Sequence, residues 1–158
     1  MKRLRAFVCV ILSCCLGTAY PAHKSAPTNH RHAKVKLTHE AGLDRSGKPR
    51  KGEASYYGRN FYKKKMADGT HMNPQSNAAA SKTLPLGTKA RVTNLDNGNS
   101  EVVEIRDRGP YVKDRIVDVS PKTADKLGIR KDGTAPVEVK PIEVPQPDGT
   151  VKPDTAAR

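Results

Sequence analysis

Beyond Leu16 this chain of 158 residues contains no cysteine, because Cys9, Cys14 and Cys15 all lie before that point. A domain built from the remainder has neither disulfide nor thiol chemistry, whatever the redox state of its compartment. Long apolar runs are missing too. The stretch from Ala6 to Leu16 is almost wholly apolar, yet too brief to span a bilayer as a stable helix. No internal repeat, coiled-coil pattern, phosphate-cradling glycine loop or Cys/His zinc pattern is present, so those classes are set aside. Acid is scarce as well: 16 Asp and Glu face 29 Lys and Arg, for a net charge of +13.

That excess is unevenly spread. Ala22 to Lys51 carries eight basic and two acidic residues (8 − 2 = +6), whereas Gly52 to Arg158 carries eighteen and fourteen (18 − 14 = +4). Much of the basicity therefore falls outside the stretch that reads as folded. Basic proteins bind polyanions nonspecifically and with steep salt dependence, so charge alone is no sign of a nucleic-acid function. With no base-reading motif, no nucleic-acid partner is expected.

The N-terminus has the form of an export signal. Met1-Lys2-Arg3-Leu4-Arg5 is a charged lead, Ala6 to Leu16 an apolar centre, and Gly17-Thr18-Ala19 a small-residue cleavage site, which puts cleavage after Ala19. Ile11-Leu12-Ser13-Cys14 also resembles a lipobox, in which Cys14 would be acylated and anchor the protein to a membrane. Either route exports the chain to the periplasm or cell envelope. Tyr20 to Lys51 is polar, with Pro21, Pro27 and Pro49 and four histidines, and reads as a disordered basic linker. His30 and His32 have no further ligands beside them, so no metal or cofactor is expected.

The length supports one modest domain, and local signals outline it from Gly52 to Val144. Glu53 to Tyr57 reads as a strand ended by Gly58, and Arg59 to Thr70 as a polar loop containing Lys63-Lys64-Lys65. Asn77 to Ser81, rich in alanine, reads as a single helical turn. Lys89 to Leu95 and Ser100 to Arg106 flank Asp96-Asn97-Gly98-Asn99, an Asn-Gly hairpin. Ser120 before Pro121 marks an N-cap and first-turn proline for a helix that Gly128 stops at Leu127. Ala135 to Val144 supplies a last strand, and the residues from Pro145 on read as a frayed tail. About six short strands with one or two short helices make a compact β-barrel.

One stretch stands out chemically. In Arg106-Asp107-Arg108-Gly109-Pro110-Tyr111 a single carboxylate sits between two guanidiniums, and Gly-Pro turns the backbone out of the strand direction. Asp107 is either a working carboxylate or a turn residue that accepts backbone N–H bonds.

Seven ordered segments carry a family resemblance: Glu53-Ala-Ser-Tyr-Tyr-Gly58, Met66-Ala-Asp-Gly69, Ala80-Ser-Lys-Thr-Leu-Pro-Leu-Gly-Thr88, Ala90-Arg-Val-Thr-Asn-Leu95, Asp107-Arg-Gly-Pro-Tyr111, Arg115-Ile-Val-Asp-Val-Ser120 and Ala124-Asp-Lys-Leu-Gly128. Together they resemble the rare lipoprotein A (RlpA) family of bacterial septal-ring proteins. The resemblance implies a mainly β fold, a six-stranded double-psi β-barrel, and peptidoglycan lytic transglycosylation. In that reaction a carboxylic acid protonates the glycosidic oxygen and the sugar's own C6 hydroxyl closes a 1,6-anhydro ring. One poised carboxyl is enough, because no water has to be activated. Asp107 matches the family's barrel-site Asp and is the expected acid/base.

The chain departs from the family at three positions. Thr70 stands where the family has Glu and Ser81 where it has His, while a nearby family Asp falls at Asn73. Hydroxyls ionise far too weakly to replace a Glu as acid, though they still hydrogen-bond sugars. His71 is the candidate for compensating. Tyr57 and Tyr111 offer faces for sugar stacking, and Arg106, Arg108 and Lys82 offer cations for the lactyl and peptide carboxylates of peptidoglycan. The resemblance makes glycan strands the partner of a monomeric protein. The alternative is a barrel of the same fold that binds peptidoglycan or another polysaccharide without cutting it.

Overall fold

The computed structural model describes residues 42–153. The signal segment, Cys14, most of the linker with its histidine pair and the last five residues lie outside them. Seven strands run in the order β1 (Arg50–Tyr56), β2 (Ala78–Ala80), β3 (Lys89–Asn94), β4 (Ser100–Asp107), β5 (Arg115–Val119), β6 (Ala135–Pro145) and β7 (Val151–Pro153). In space the sheet reads β1, β5, β2, β4, β3, β6, and β6 pairs back onto β1 to close a six-stranded double-psi β-barrel. Two of the pairings are parallel, β1 with β5 and β2 with β4, and both connect residues far apart in sequence.

Alternation along each strand fills the barrel with aliphatic side chains. Ala54, Ala79, Val92, Val103, Ile105, Val119 and Val137 have no accessible surface at all. One end is covered by helix α1 (Pro121–Leu127), whose Ala124 and Leu127 join that core together with Ile129.

Helix α1 starts and stops where the sequence predicts. The Ser120 hydroxyl accepts from the Thr123 amide at 3.3 Å, Pro121 takes the first turn, and Gly128 is left-handed at φ 76°. The Asn-Gly hairpin of β3 and β4 is also formed, and it has a second task. Asn94 and Asn97 both donate side-chain amides to the Leu127 carbonyl, at 2.9 and 3.0 Å, satisfying an acceptor the helix end leaves open. Hairpin and helix thus hold each other in place.

Three expectations change. Asn77 to Ser81 is not a helical turn: Ala78–Ala80 form β2, wedged between β4 and β5 and buried throughout. Helix propensity is a weak preference that pairing on both edges overrides, and small side chains suit a strand covered on both faces. The chain past Val144 is not frayed up to residue 153, because a turn at Asp148-Gly149 brings β7 back against Glu143 to Pro145. The folded part also begins before Gly52. Strand β1 starts at Arg50, and Asp44 hydrogen-bonds the Thr83 carbonyl at 2.7 Å while pairing with Arg50 at 2.8 Å.

Because Asn94 is buried at 2% exposure, Asn94→Ala is expected to lower stability by about 1–3 kcal/mol, through loss of its bond to the Leu127 carbonyl and of the acceptor for the Asp96 amide. Urea unfolding measures this, and an unchanged midpoint would contradict the role given to the hairpin.

Candidate functional site

The parallel pairings each carry an irregularity that decides where the site lies. Along β2 and β4, Ala79 faces Ile105 but Ala80 faces Asp107, so Arg106 is an extra residue in β4. Strict alternation from inward-facing Ile105 would aim Asp107 into the barrel; the bulge turns it outward instead. On β1 and β5, Glu53 faces Arg115 and Ala54 faces Val117, leaving Ile116 as the extra residue. Asp118 then faces Ser55 across one edge of β5 and Ala80 across the other.

The result is a transverse row over four strands: Ser55, Asp118, Ala80, Asp107. Cross-strand partners share a face, and the flanking Ala54, Val117 and Ala79 are core residues, so the row lies on the outward face of the barrel wall, with Ser55 and Ala80 themselves buried. Two carboxylates stand on either side of a methyl group, with backbones two strand spacings or about 9–10 Å apart. Above them runs the 57–77 segment, which buries Tyr57, Met66 and Met72 against Ala78 and Ala80.

Asp107 is held by three donors. Oδ1 accepts from the amides of Ala67 at 2.9 Å and Arg108 at 2.8 Å, and Oδ2 accepts from the Tyr57 hydroxyl at 3.0 Å. A carboxylate offers about four acceptor directions, so this one keeps roughly one for a ligand. Both readings of Asp107 left open by the sequence thus have structural content: it accepts backbone N–H bonds, and it sits in the row. Burial first, then the neighbouring Asp107 charge, pushes the Tyr57 hydroxyl far above its ordinary range. Tyr57 therefore remains a donor at any physiological pH. Its ring is buried and meets Phe61 edge-on at 5.9 Å, so it orients the carboxylate and offers no open face to a sugar.

Asp118 lies in a different environment. Burial raises its pKa above the ordinary 3.8, and the Asp107 charge pushes the same way; the Ser55 hydroxyl, Arg115 and Lys82 oppose. The net direction is upward. A half-buried acid that keeps its proton more readily, beside a second carboxylate fixed by donors, is the pairing from which proton transfer is built.

The other predicted residues divide. Lys82 is near enough to Asp118 to influence it, donates to the Val112 carbonyl at 3.5 Å and sits 6.0 Å above the ring of Tyr111, which is 80% exposed. These two border the row. Arg106 is turned onto Glu104 at 2.8 Å, with Asp68 at 4.0 Å. Arg108 donates to the carbonyls of Ser81 and Leu84, tying the 81–84 turn to the end of β4. The Ser81 hydroxyl is buried and accepts from the amides of Thr83 and Leu84. Thr70 donates to Asp68 at 2.7 Å, and the Asn73 side chain accepts from the Gln75 amide. His71 lies on an exposed bridge with Lys65. Thr70, His71 and Asn73 supply none of the donors on Asp107.

Two members of the row, Asp118 and Ser55, were not foreseen as site residues. The available signal was an acid between Val117 and Val119 in a strand whose other residues suit a core. Among the described residues no three His, Cys, Asp or Glu side chains gather in a way that could hold a metal.

Comparison with known proteins adds the following. Residues 50–139 match the family profile described as lytic transglycolase. Over 92 residues the chain is 47% identical to the endolytic peptidoglycan transglycosylase RlpA of Pseudomonas aeruginosa, an overlap of 58% of this chain and 27% of that protein. A probable endolytic peptidoglycan transglycosylase RlpA of Aquifex aeolicus is 43% identical over 101 residues, 64% of this chain and 45% of its own length. The chain therefore spans less than half the length of these curated relatives. Among solved structures, a Streptomyces papain inhibitor aligns with 60% of this chain and 94% of its own at 24% identity, with a TM-score of only 0.47.

The Tyr57 hydroxyl and the Asp107 carboxylate are expected to couple in a double-mutant cycle. Tyr57→Phe should cost about 1.5–3 kcal/mol as a bond to a charged acceptor, and much less once Asp107→Asn is present. Strictly additive losses in denaturant unfolding would mean the two groups do not interact.

Proposed function

Because the chain belongs to the lytic transglycolase family, which its residues 50–139 match over more than half its length, we propose that it cuts the glycan strands of bacterial peptidoglycan as an endolytic lytic transglycosylase. The observation that carries this reading is the row across β1, β5, β2 and β4, with two carboxyl groups in contrasting surroundings on one outer surface. Support also comes from the relatives named above.

In the proposed reaction Asp118 donates its proton to the glycosidic oxygen as the C1–O bond breaks. The bonding pair leaves with the oxygen, and positive charge spreads over C1 and the ring oxygen. The C6 hydroxyl of the same sugar then attacks C1 and gives up its proton to Asp107, closing the 1,6-anhydro ring. One proton enters and one leaves, no water is consumed, and solvent restores the starting protonation. The nucleophile is part of the substrate, so its attack has the advantage of an intramolecular reaction. Ser55 and Tyr57 keep the two carboxyl groups oriented, Lys82 and Tyr111 border the sugar, and the Thr70 and Ser81 hydroxyls relay no proton.

A second reading has its own observation. Thr70 and Ser81, which replace the Glu and His of the RlpA pattern, are engaged in local turns, and three donors already occupy Asp107. On this reading the surface binds glycan without cutting it. Incubating the purified protein with whole and amidase-treated sacculi separates the two: anhydro-muropeptides support the enzyme, and pelleting without product supports the binding module.

In either case the proposed workplace is the cell envelope, with residues 1–19 serving export and the protein acting as a monomer. No helix among the described residues is long and apolar enough to cross a membrane. A mature N-terminus at Tyr20 in intact-mass spectra is the expected product of cleavage, and an acylated Cys14 would replace it with a lipid anchor.

Asp107→Asn and Asp118→Asn are each expected to lower anhydro-product release by about 10²–10⁴-fold, with normal folding by circular dichroism. The donor must be protonated, so the rate should fall as pH rises through the elevated pKa of Asp118. Lys82→Gln removes a cation that favours the carboxylate, so it should move that fall to higher pH. A shift to lower pH, or full activity in Asp118→Asn, would contradict the assignment.

A further inference from the structure

The row does not end the polar surface. At the start of β5, beside the 81–84 turn, a cleft of about 150 Å³ is rimmed by Lys48, Arg50, Lys82 and Arg115. Leu84 and Ile116 form part of its apolar floor, and no acidic side chain lines it. A cavity of that order accommodates a group about as large as benzene, too little for a disaccharide but enough for a short substituent.

Its lining charges are all of one sign. Lys89 with Glu143 at 2.8 Å and Lys126 with Glu101 at 2.9 Å, by contrast, are cations matched within the protein. At the cleft only Arg50 is matched, by Asp44 at 2.8 Å; among the described residues Lys48, Lys82 and Arg115 form no ion pair. Arg115 and Lys82 already favour the charged form of Asp118, and the excess of positive charge over the apolar floor favours a further anion. The complement is a carboxylate on a short apolar stem.

The cleft also neighbours the row, because Arg115 and Lys82, which line it, both act on the Asp118 carboxyl. Ser81 and Lys82 follow directly on Ala80, and Ile116 is the extra residue of β5 that sets the register of Asp118. Ile116 is itself placed by Gly52, where a Cβ would come within 2.6 Å of its Cγ2. A sugar whose bond is protonated at Asp118 would extend a ring substituent into this space.

We propose that the cleft is the subsite for the carboxylate borne on the O3 substituent of muramic acid, so that Lys48 and Arg115, with Lys82, distinguish peptidoglycan from an uncharged glycan. This rests on the cell-wall reading above. The carboxylate has two sources with the same chemistry: the lactyl group itself in strands stripped of peptide, or the first acidic residue of the peptide where the lactyl group is amidated. Both are carried on short stems with methyl groups suited to the Leu84 and Ile116 floor.

Equilibrium binding on the full chain, with Asp107→Asn present to prevent turnover, tests this with three ligands of equal sugar number. They are peptide-free muramyl oligosaccharide, its peptide-bearing counterpart, and a chitooligosaccharide that lacks any carboxylate. At least one muramyl ligand should bind about tenfold more tightly than the chitooligosaccharide, the effect of one or two charge-assisted hydrogen bonds. Lys48→Gln with Arg115→Gln should abolish that difference and leave chitooligosaccharide binding unchanged; Lys48→Gln alone, at an exposed position, should reduce it. Tighter binding of the peptide-free ligand identifies the lactyl carboxylate, and the reverse identifies the peptide. Equal binding of all three ligands, or muramyl preference that survives the double substitution, overturns the cleft assignment. If the wild-type chain also yields anhydro products from sacculi, the cell-wall reading stands without it. Failure to bind any ligand together with failure to release product overturns both.

Discussion

The constraint on which the site depends is the placement of three small residues, Ala78–Ala80, between β4 and β5. The strand is hydrogen-bonded along both edges, so its neighbours cannot slide, and the methyl of Ala80 separates two acids brought from opposite sides. The bulge at Arg106 then sets the direction of Asp107. Remove it and alternation would send that carboxylate toward Ile105 and the valines of the core, where an unpaired charge is costly. Fold and chemistry therefore meet at one register choice. The 57–77 segment completes the arrangement, since the amides of Ala67 and Asp68 meet Asp107 and the Arg106 carbonyl.

What the sequence revealed and what it hid divide along the same line. Ser120, Pro121 and Gly128 announce α1, and Asn97-Gly98 announces the β3–β4 hairpin, because each signal acts within a few residues. Strand β2 is hidden. Its alanines favour a helix in isolation, and what makes them a strand is pairing with residues far along the chain. The bulges are hidden for the same reason, as they exist only relative to a partner. Asp107 is legible from the two arginines beside it and the Gly-Pro turn that follows, but Asp118 lies in a run of strand-forming residues that gives no local sign of a site. Asp148-Gly149 carried a turn signal that the surrounding prolines obscured.

The departures at Thr70 and Ser81 take on a physical meaning in this setting. Each hydroxyl is engaged by its own turn, Thr70 with Asp68 and Ser81 with Thr83 and Leu84, so neither acts as a stand-in for an ionisable group. The proposed proton carrier, Asp118, is on the strand beside Ala80. Arg106 and Arg108, offered by the sequence as substrate cations, are largely given over to Glu104 and to the carbonyls of the 81–84 turn. The cations with more freedom to meet a ligand stand farther along β5, around the cleft at Arg115.

The central claim is that two carboxyl groups sense each other across Ala80 and that Asp118 holds its proton more readily than an ordinary aspartate. A carbon-13 NMR titration of the aspartate side chains measures this directly. The account predicts a midpoint for Asp118 above 3.8 that falls when Asp107→Asn removes the facing charge. A midpoint at or below the ordinary value, or one indifferent to that substitution, would contradict it.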